Sequence, residues 1–148
     1  MEQRINEFML VLNKLNVLAS TNSTRNFEIE PSETKWSKKE ILGHLIDSAI
    51  NNLQRFTEIQ YAEKPFTIRT YPQDDLVKAN DYQNKNILDL FHLLIELNKH
   101  IVYLVNNQTE ETLKYEIILP NQAIKNLQWL IEDYFNHFYH HIKQIDIQ

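Results

Sequence analysis

Two histidines lie four residues apart near the end of the chain, at His137 and His141, in the stretch YFNHFYHHIKQI. Residues at this spacing lie one above the other on the same face of a helix. Neutral imidazole is the commonest metal ligand in proteins, and two such rings can converge on one ion, at about 2.0–2.1 Å each for zinc. The spacing therefore favours a metal site, with a pair of core histidines bonded to other side chains as the alternative.

The face on which these histidines lie is more informative than their spacing. They continue a three-four rhythm of core-type positions along the last predicted helix: Leu127, Leu130, Tyr134, His137, His141 and Gln144. An unpaired polar group that points inward costs about 1–3 kcal/mol, and a metal ion would remove that cost. The alternative is that the stripe drifts outward near the C-terminus, where the helix dipole favours histidine. His140 is a second candidate ligand that ranks lower, because it projects about 60° away from His137 toward a polar side.

A third histidine, His44, lies in a helix predicted from Lys38 to about Tyr61. Ser37 and Glu40 form a capping box at its start, and Trp36 and Ile41 occupy the two positions of a hydrophobic staple. The apolar stripe of this helix comprises Leu42, Leu45, Ile46, Ala49, Leu53 and Phe56.

His44 lies opposite that stripe, on a face that it shares with Ser48, Asn51 and Arg55. Periodicity alone predicts that His44 is exposed. Alternatively, this polar face lines a pocket inside a bundle, and the apolar stripe meets other helices or another subunit.

Three further helices and two long connections position these residues. The connection over residues 62–85 contains Pro65 and Pro72 and is long for a compact domain, which suggests a functional loop or a crossover. We predict an all-α protein, a four-helix bundle with long crossover loops, and a single domain over residues 1–148. The remaining segments are helices over Glu2–Ser20, about Asn86–Asn106 and about Ala123–Ile145, a loop over 21–34, and a connection over 107–122 with a β-like run at Tyr115–Leu119.

Composition narrows the function classes. The chain has 148 residues with one glycine and four prolines, which argues against the many tight turns of sandwiches and barrels. It has no cysteine, so thiolate metal sites and a cysteine nucleophile are excluded. The net charge of −5 with no basic tract gives no reason to expect nucleic-acid binding. No apolar run approaches the roughly 20 residues of a membrane span, and the N-terminal stretch lacks a secretory pattern, so we expect a cytoplasmic protein.

Several stretches resemble one known family. The segment WSKKEILGHLIDS from Trp36 to Ser48, followed by NNLQRF, resembles the helix-two signature of the DinB/YfiT-like superfamily. The stretch Tyr71–Asp75 and Tyr82 resemble its middle connection, and His137–Ile145 resembles its closing motif. The resemblance covers most of the chain from about residue 30 onward, with its parts in the right order.

The resemblance implies a four-helix bundle in which one histidine of helix two and two of helix four bind a divalent metal, commonly nickel or zinc. By position these ligands are His44, His137 and His141, whereas His140 and Gln144 match the motif without being ligands. The polar face of His44 then lines the pocket. The resemblance also implies a homodimer, and the family's activities include bacillithiol or mycothiol transfer and a thiol-dependent isomerisation.

We therefore expect a metal-dependent transferase or hydrolase that acts on a small thiol or electrophile, because three imidazoles leave a coordination position open. Arg55 could bind an acidic group of the substrate or form an ordinary ion pair. Asp133 could orient His137, act as a base, or be a surface residue. The competing hypothesis is a non-catalytic metal-binding or interaction protein of the same fold.

The metal site should depend on pH, because protons compete with the ion for imidazole. The ordinary pKa of histidine is about 6.5, so we expect the metal to be lost somewhat below that pH.

Overall fold

Four long helices form a bundle in the computed structural model, which describes residues 1–21 and 24–145. The predicted all-α four-helix bundle is confirmed, with a short fifth helix and a small sheet added to it. Residues 22 and 23 of the predicted loop 21–34, and residues 146–148, lie outside the described part. The elements are α1 Glu2–Ser20, α2 Lys38–Glu58, β1 Phe66–Thr67, α3 Gln73–Ala79, α4 Ile87–Asn106, β2 Glu116–Ile118, β3 Ile124–Asn126 and α5 Leu127–Gln144.

Helix α2 begins at the predicted capping box. The Glu40 amide donates to Ser37 Oγ at 3.1 Å, and the Ser37 amide donates to Glu40 Oε2 at 2.8 Å. Ser37 Oγ also donates to Gln83 Oε1 at 2.7 Å, which joins the start of α2 to the middle connection. These bonds satisfy donors that a helix start otherwise leaves unpaired. The helix ends at Glu58, three residues before the predicted end at Tyr61.

Both faces of α2 are buried in its first half. Every residue from Ile41 to Ala49 is buried, since α2 packs against α3, α4 and α5. The periodicity-based prediction that His44 is exposed is therefore wrong, because its side chain is 0% exposed. The apolar stripe of α2, apart from the half-buried Leu53, is buried within this chain, so it offers no free surface to a second subunit.

The single glycine of the chain marks a close approach between α2 and the middle connection. A Cβ atom at Gly43 would lie 2.1 Å from Cδ2 of Tyr82, so only glycine accommodates this ring. The Tyr82 hydroxyl donates to Asp47 Oδ1 at 2.6 Å, and Asn80 Nδ2 donates to the same oxygen at 2.9 Å. The connection is thereby fixed on α2 one turn from His44.

A three-stranded sheet lies beside the bundle, with β1 parallel to β2 and β2 antiparallel to β3. The β-like run predicted at Tyr115–Leu119 is thus its central strand and pairs Phe66 with Ile117. Strand β3 occupies the predicted start of the last helix, which instead begins at Leu127 with Asn126 as its N-cap. Within the described residues, no helix is both long and apolar enough to cross a membrane.

Candidate metal centre

Three histidines from two helices meet inside the bundle. Nε2 of His44 on α2 and Nε2 of His137 on α5 are 3.1 Å apart. One ring nitrogen each of His44, His137 and His141 lies within 4.8 Å of the other two. The structure therefore brings together the three residues that the sequence suggested as ligands.

The second nitrogens of two of these rings have partners that orient them. Nδ1 of His137 lies 3.4 Å from Ser48 Oγ, and Nδ1 of His141 lies 2.9 Å from Gln144 Oε1. A proton on Nδ1 of His141 would be donated to that amide oxygen and would leave the Nε2 lone pair free for an ion. Nδ1 of His44 is buried and has no hydrogen-bond partner among the described residues.

The three rings are held in the neutral form. Burial, followed by the neighbouring histidines, lowers the pKa of His44 to about 3 and that of His137 to about 4. Burial also lowers the pKa of His141, although its contact with Gln144 opposes the shift. Neutral imidazole is the form that binds metal, so no proton has to be removed from these rings near pH 7.

The donor set fits one divalent transition-metal ion. Two nitrogens that each lie about 2.0–2.1 Å from one ion are roughly 2.8–3.4 Å apart, from octahedral to tetrahedral angles, and the observed 3.1 Å falls in that range. Imidazole donors suit zinc, nickel, copper or iron, whereas magnesium and calcium prefer oxygen ligands. A group of three imidazoles without a carboxylate therefore favours zinc, nickel, copper or iron over magnesium and calcium.

Trp36 covers one side of the cluster, a role that the sequence did not reveal. Its ring centroid lies 4.8 Å from that of His44, with the planes inclined by 36°. From the sequence, Trp36 is identified only as a staple residue. Its contact with His44 joins a residue before the start of α2 to a residue within the helix, and helical spacing does not predict such a contact. His140, the lower-ranked candidate ligand, is exposed, and its Nε2 lies 3.3 Å from Gln144 Nε2.

Two cavities in the described part of the chain each include one of the histidines, and they share no lining residue. A cavity of about 240 Å³ includes His137 and is bounded by α2, α5 and three residues of the middle connection, Thr70, Tyr71 and Gln73. A second cavity of about 530 Å³ includes His141 and is bounded by Trp36, Ile41 and Asp74. The site is therefore open to small molecules at two points.

Arg55 and Asp133, the two candidate catalytic residues, both line the smaller cavity with His137. Arg55 is half-buried, its Nη1 donates to Asn52 Oδ1 at 3.2 Å, and its Nη2 donates to the Arg69 carbonyl oxygen. Ser48, not Asp133, lies at Nδ1 of His137. Burial raises the pKa of Asp133, and the charge of Arg55 opposes that shift.

The chain belongs to the DinB superfamily, whose family model matches residues 7–145. A Halalkalibacterium halodurans protein, named provisionally as a metal-dependent hydrolase, is 26% identical over 113 residues, or 76% of this chain. That match spans 65% of the relative's own length.

Solved structures show the same fold. YfiT from Bacillus subtilis, described as a probable metal-dependent hydrolase with an unusual four-helix bundle topology, superposes with a TM-score of 0.82 at 22% identity. The alignment covers 95% of this chain and 81% of YfiT. The mycothiol-dependent maleylpyruvate isomerase superposes with a TM-score of 0.68 at 13% identity, covering 95% of this chain and 59% of that one. The DinB/YfiT-like resemblance seen in the sequence is thus confirmed.

Proposed function

We propose that this chain, as a single domain, binds one nickel or zinc ion through His44, His137 and His141 and acts as a transferase or hydrolase on a small thiol or electrophile. The observation that carries the proposal is the convergence of three neutral imidazoles at one point of the bundle. The names of the relatives support it, since two refer to metal-dependent hydrolysis and one to a thiol cofactor.

An ion held by three imidazoles has at least one open position, where it would act as a Lewis acid and lower the pKa of a thiol or water. The residues around it have distinct roles. Ser48 and Gln144 contact Nδ1 of His137 and of His141 and so orient these rings. Trp36 packs on the His44 ring and so helps to fix its orientation.

The two cavities suit a reaction with two reactants. In thiol transfer, the sulfur forms a bond to an electrophilic carbon, the bond from that carbon to its leaving group breaks, and the electron pair stays with the leaving group. The thiol proton ends on the leaving group or on solvent. One reactant would enter past Arg55 and the other past Trp36, so that both meet beside His137 and His141.

The experiment is a screen of chelator-treated protein, with and without added nickel or zinc. The donors are small cysteine-derived thiols, and the acceptors are activated haloarenes and activated esters. We expect turnover only in reloaded protein and none in His137→Ala. One bound ion per chain without turnover on any acceptor would instead support the competing function, a non-catalytic metal-binding protein.

A homodimer remains part of the proposal, supported now only by the resemblance to the family. The α2 stripe that suggested an interface is buried within the chain. Sedimentation velocity across the micromolar range measures the assembly directly. A mass near 17.8 kDa at every concentration would contradict the dimer.

A further inference from the structure

Arg55 is a cation that the fold holds beside the histidine cluster, and within residues 1–21 and 24–145 no carboxylate forms an ion pair with it, although the charge of Asp133 acts on it. Its guanidinium group has five N–H donors, and the neutral oxygens of Asn52 and of the Arg69 backbone accept from two nitrogens. Its guanidinium carbon lies 5.3 Å from the centroid of the Tyr71 ring. Three neutral contacts therefore fix the group while donors remain for a ligand.

The supports of Arg55 are themselves fixed. Asn52 is buried, and its Nδ2 donates to the Ser48 carbonyl oxygen at 2.9 Å. The same turn of α2 carries Ser48 Oγ, which contacts His137. The cation and the histidine cluster are thus held on one rigid stretch of helix, about 10 Å apart along its axis between residues 48 and 55.

The cavity of about 240 Å³ connects these two groups. Thr70, Tyr71 and Gln73 line it with neutral polar side chains, and Asp133 is the single acidic residue among its lining residues. Its volume lies just below the 300–1,000 Å³ typical of sites for drug-sized ligands. A ligand that fills it is therefore a small molecule.

We propose that Arg55 makes this cavity a binding site for a small molecule that carries one carboxylate, with the other end of the molecule directed toward His137. Guanidinium binds a carboxylate through two parallel hydrogen bonds. One carboxylate is specified because Asp133 adds a negative charge to the same cavity and opposes a second one. The role of the bound acid rests on the proposed function, in which the acid would be one of the two reactants.

The test uses the metal-free chain of 148 residues, with butyrate as the probe and butyramide as its neutral match. Amide shifts in ¹H–¹⁵N spectra report binding at Asn52, Thr70 and Tyr71. We expect butyrate to bind saturably and about tenfold more tightly than butyramide, the difference that a charged hydrogen bond makes. Equal binding of the two probes, or no saturable butyrate shifts at these residues, would overturn the inference.

Variants separate recognition by Arg55 from general effects on the fold. Arg55→Gln should reduce butyrate binding to the butyramide level, and Arg55→Lys should retain part of it. Arg69→Gln is the matched control, because it removes one nearby positive charge from an exposed side chain that pairs with Glu58. Asp133→Asn should tighten butyrate binding, an opposite change that loss of folding cannot produce. Butyrate affinity unchanged in Arg55→Gln would contradict the assignment.

The carboxylate site and the proposed metal-dependent function can be refuted separately. Butyrate binding in protein that takes up no metal would refute the proposed function and leave the carboxylate site standing. Metal uptake with no preference for butyrate over butyramide would do the reverse.

Discussion

Nε2 of His44 and Nε2 of His137 lie 3.1 Å apart, although 93 residues separate them in the chain. Both rings are kept neutral by burial, so the contact does not suffer the repulsion of two positive charges. Two basic nitrogens at this separation, with His141 beside them, can share either a proton or a metal ion.

His141→Ala should abolish stoichiometric metal binding, and His140→Ala should preserve it. His141 belongs to the converging group, whereas His140 is exposed and lies outside it. Loss of a ligand costs more than loss of a residue that only orients a ligand, which typically costs about 10–100-fold, so we expect a loss of affinity beyond about 100-fold. Equilibrium dialysis with metal analysis measures it, and circular dichroism checks that helix content is unchanged. The reverse pattern would show that the assignment of the ligand pair is wrong.

As the pH falls, metal affinity should begin to decrease at a lower pH than it would for histidines of ordinary pKa, because burial lowers the pKa of all three rings. Rings with the ordinary histidine pKa of about 6.5 would lose the ion to protons just below that value. Burial lowers the pKa of His44 to about 3 and of His137 to about 4, which moves the expected onset of competition lower. Calorimetric titrations at several pH values measure this. A steep loss of affinity directly below pH 6.5 would contradict it.

The free energy of unfolding of the metal-free protein should decrease in mild acid, because the pKa values of His44 and His137 are lower in the folded chain than in the unfolded chain. Between the unfolded pKa of about 6.5 and the lowered folded values, the unfolded chain binds more protons than the folded one. The free energy of unfolding therefore falls as pH drops from about 6.5 toward 4. Urea unfolding of chelator-treated protein at pH 7, 6 and 5 measures the slope, and His44→Ala should reduce it.

Gly43→Ala should destabilise the fold, although alanine normally favours a helix. The added methyl group would overlap the Tyr82 ring, displace it, and disturb its hydrogen bond to Asp47. Overpacking of this kind costs about 1–3 kcal/mol. Urea unfolding should show this loss in the natural background. In a Tyr82→Ala background the same change should be neutral or stabilising by up to about 1 kcal/mol, and an equal loss in both backgrounds would refute the role of Tyr82.

The helices could be predicted from sequence because their signals are local. The capping box at Ser37 and Glu40 lies within one turn, and it placed the start of α2 correctly. The position of His44 could not be derived from periodicity, since a helix packed on several sides has no single polar face. Only the resemblance to a family placed His44 with His137 and His141.

The small sheet and the contacts around the site depend on pairings distant in sequence. Strands β1 and β3, of two and three residues, are too short to show an alternating pattern, and the Phe66–Ile117 pair joins two separate connections. The Tyr82–Asp47 bond likewise forms only when the middle connection folds back on α2. The β-like run Tyr115–Leu119 predicted the central strand, but no signal within one helical turn predicted its two partner strands or the Tyr82–Asp47 contact.

The most direct test of the metal centre is isothermal titration calorimetry of nickel and of zinc into chelator-treated protein, with His44→Ala measured in parallel. His44 is the informative position, because His137 and His141 share α5 and could bind an ion weakly on their own. We predict one ion per chain for the natural protein and loss of that binding in His44→Ala with unchanged helix content. Binding of equal affinity in the two proteins, or no saturable binding of either ion, would contradict a site built across α2 and α5.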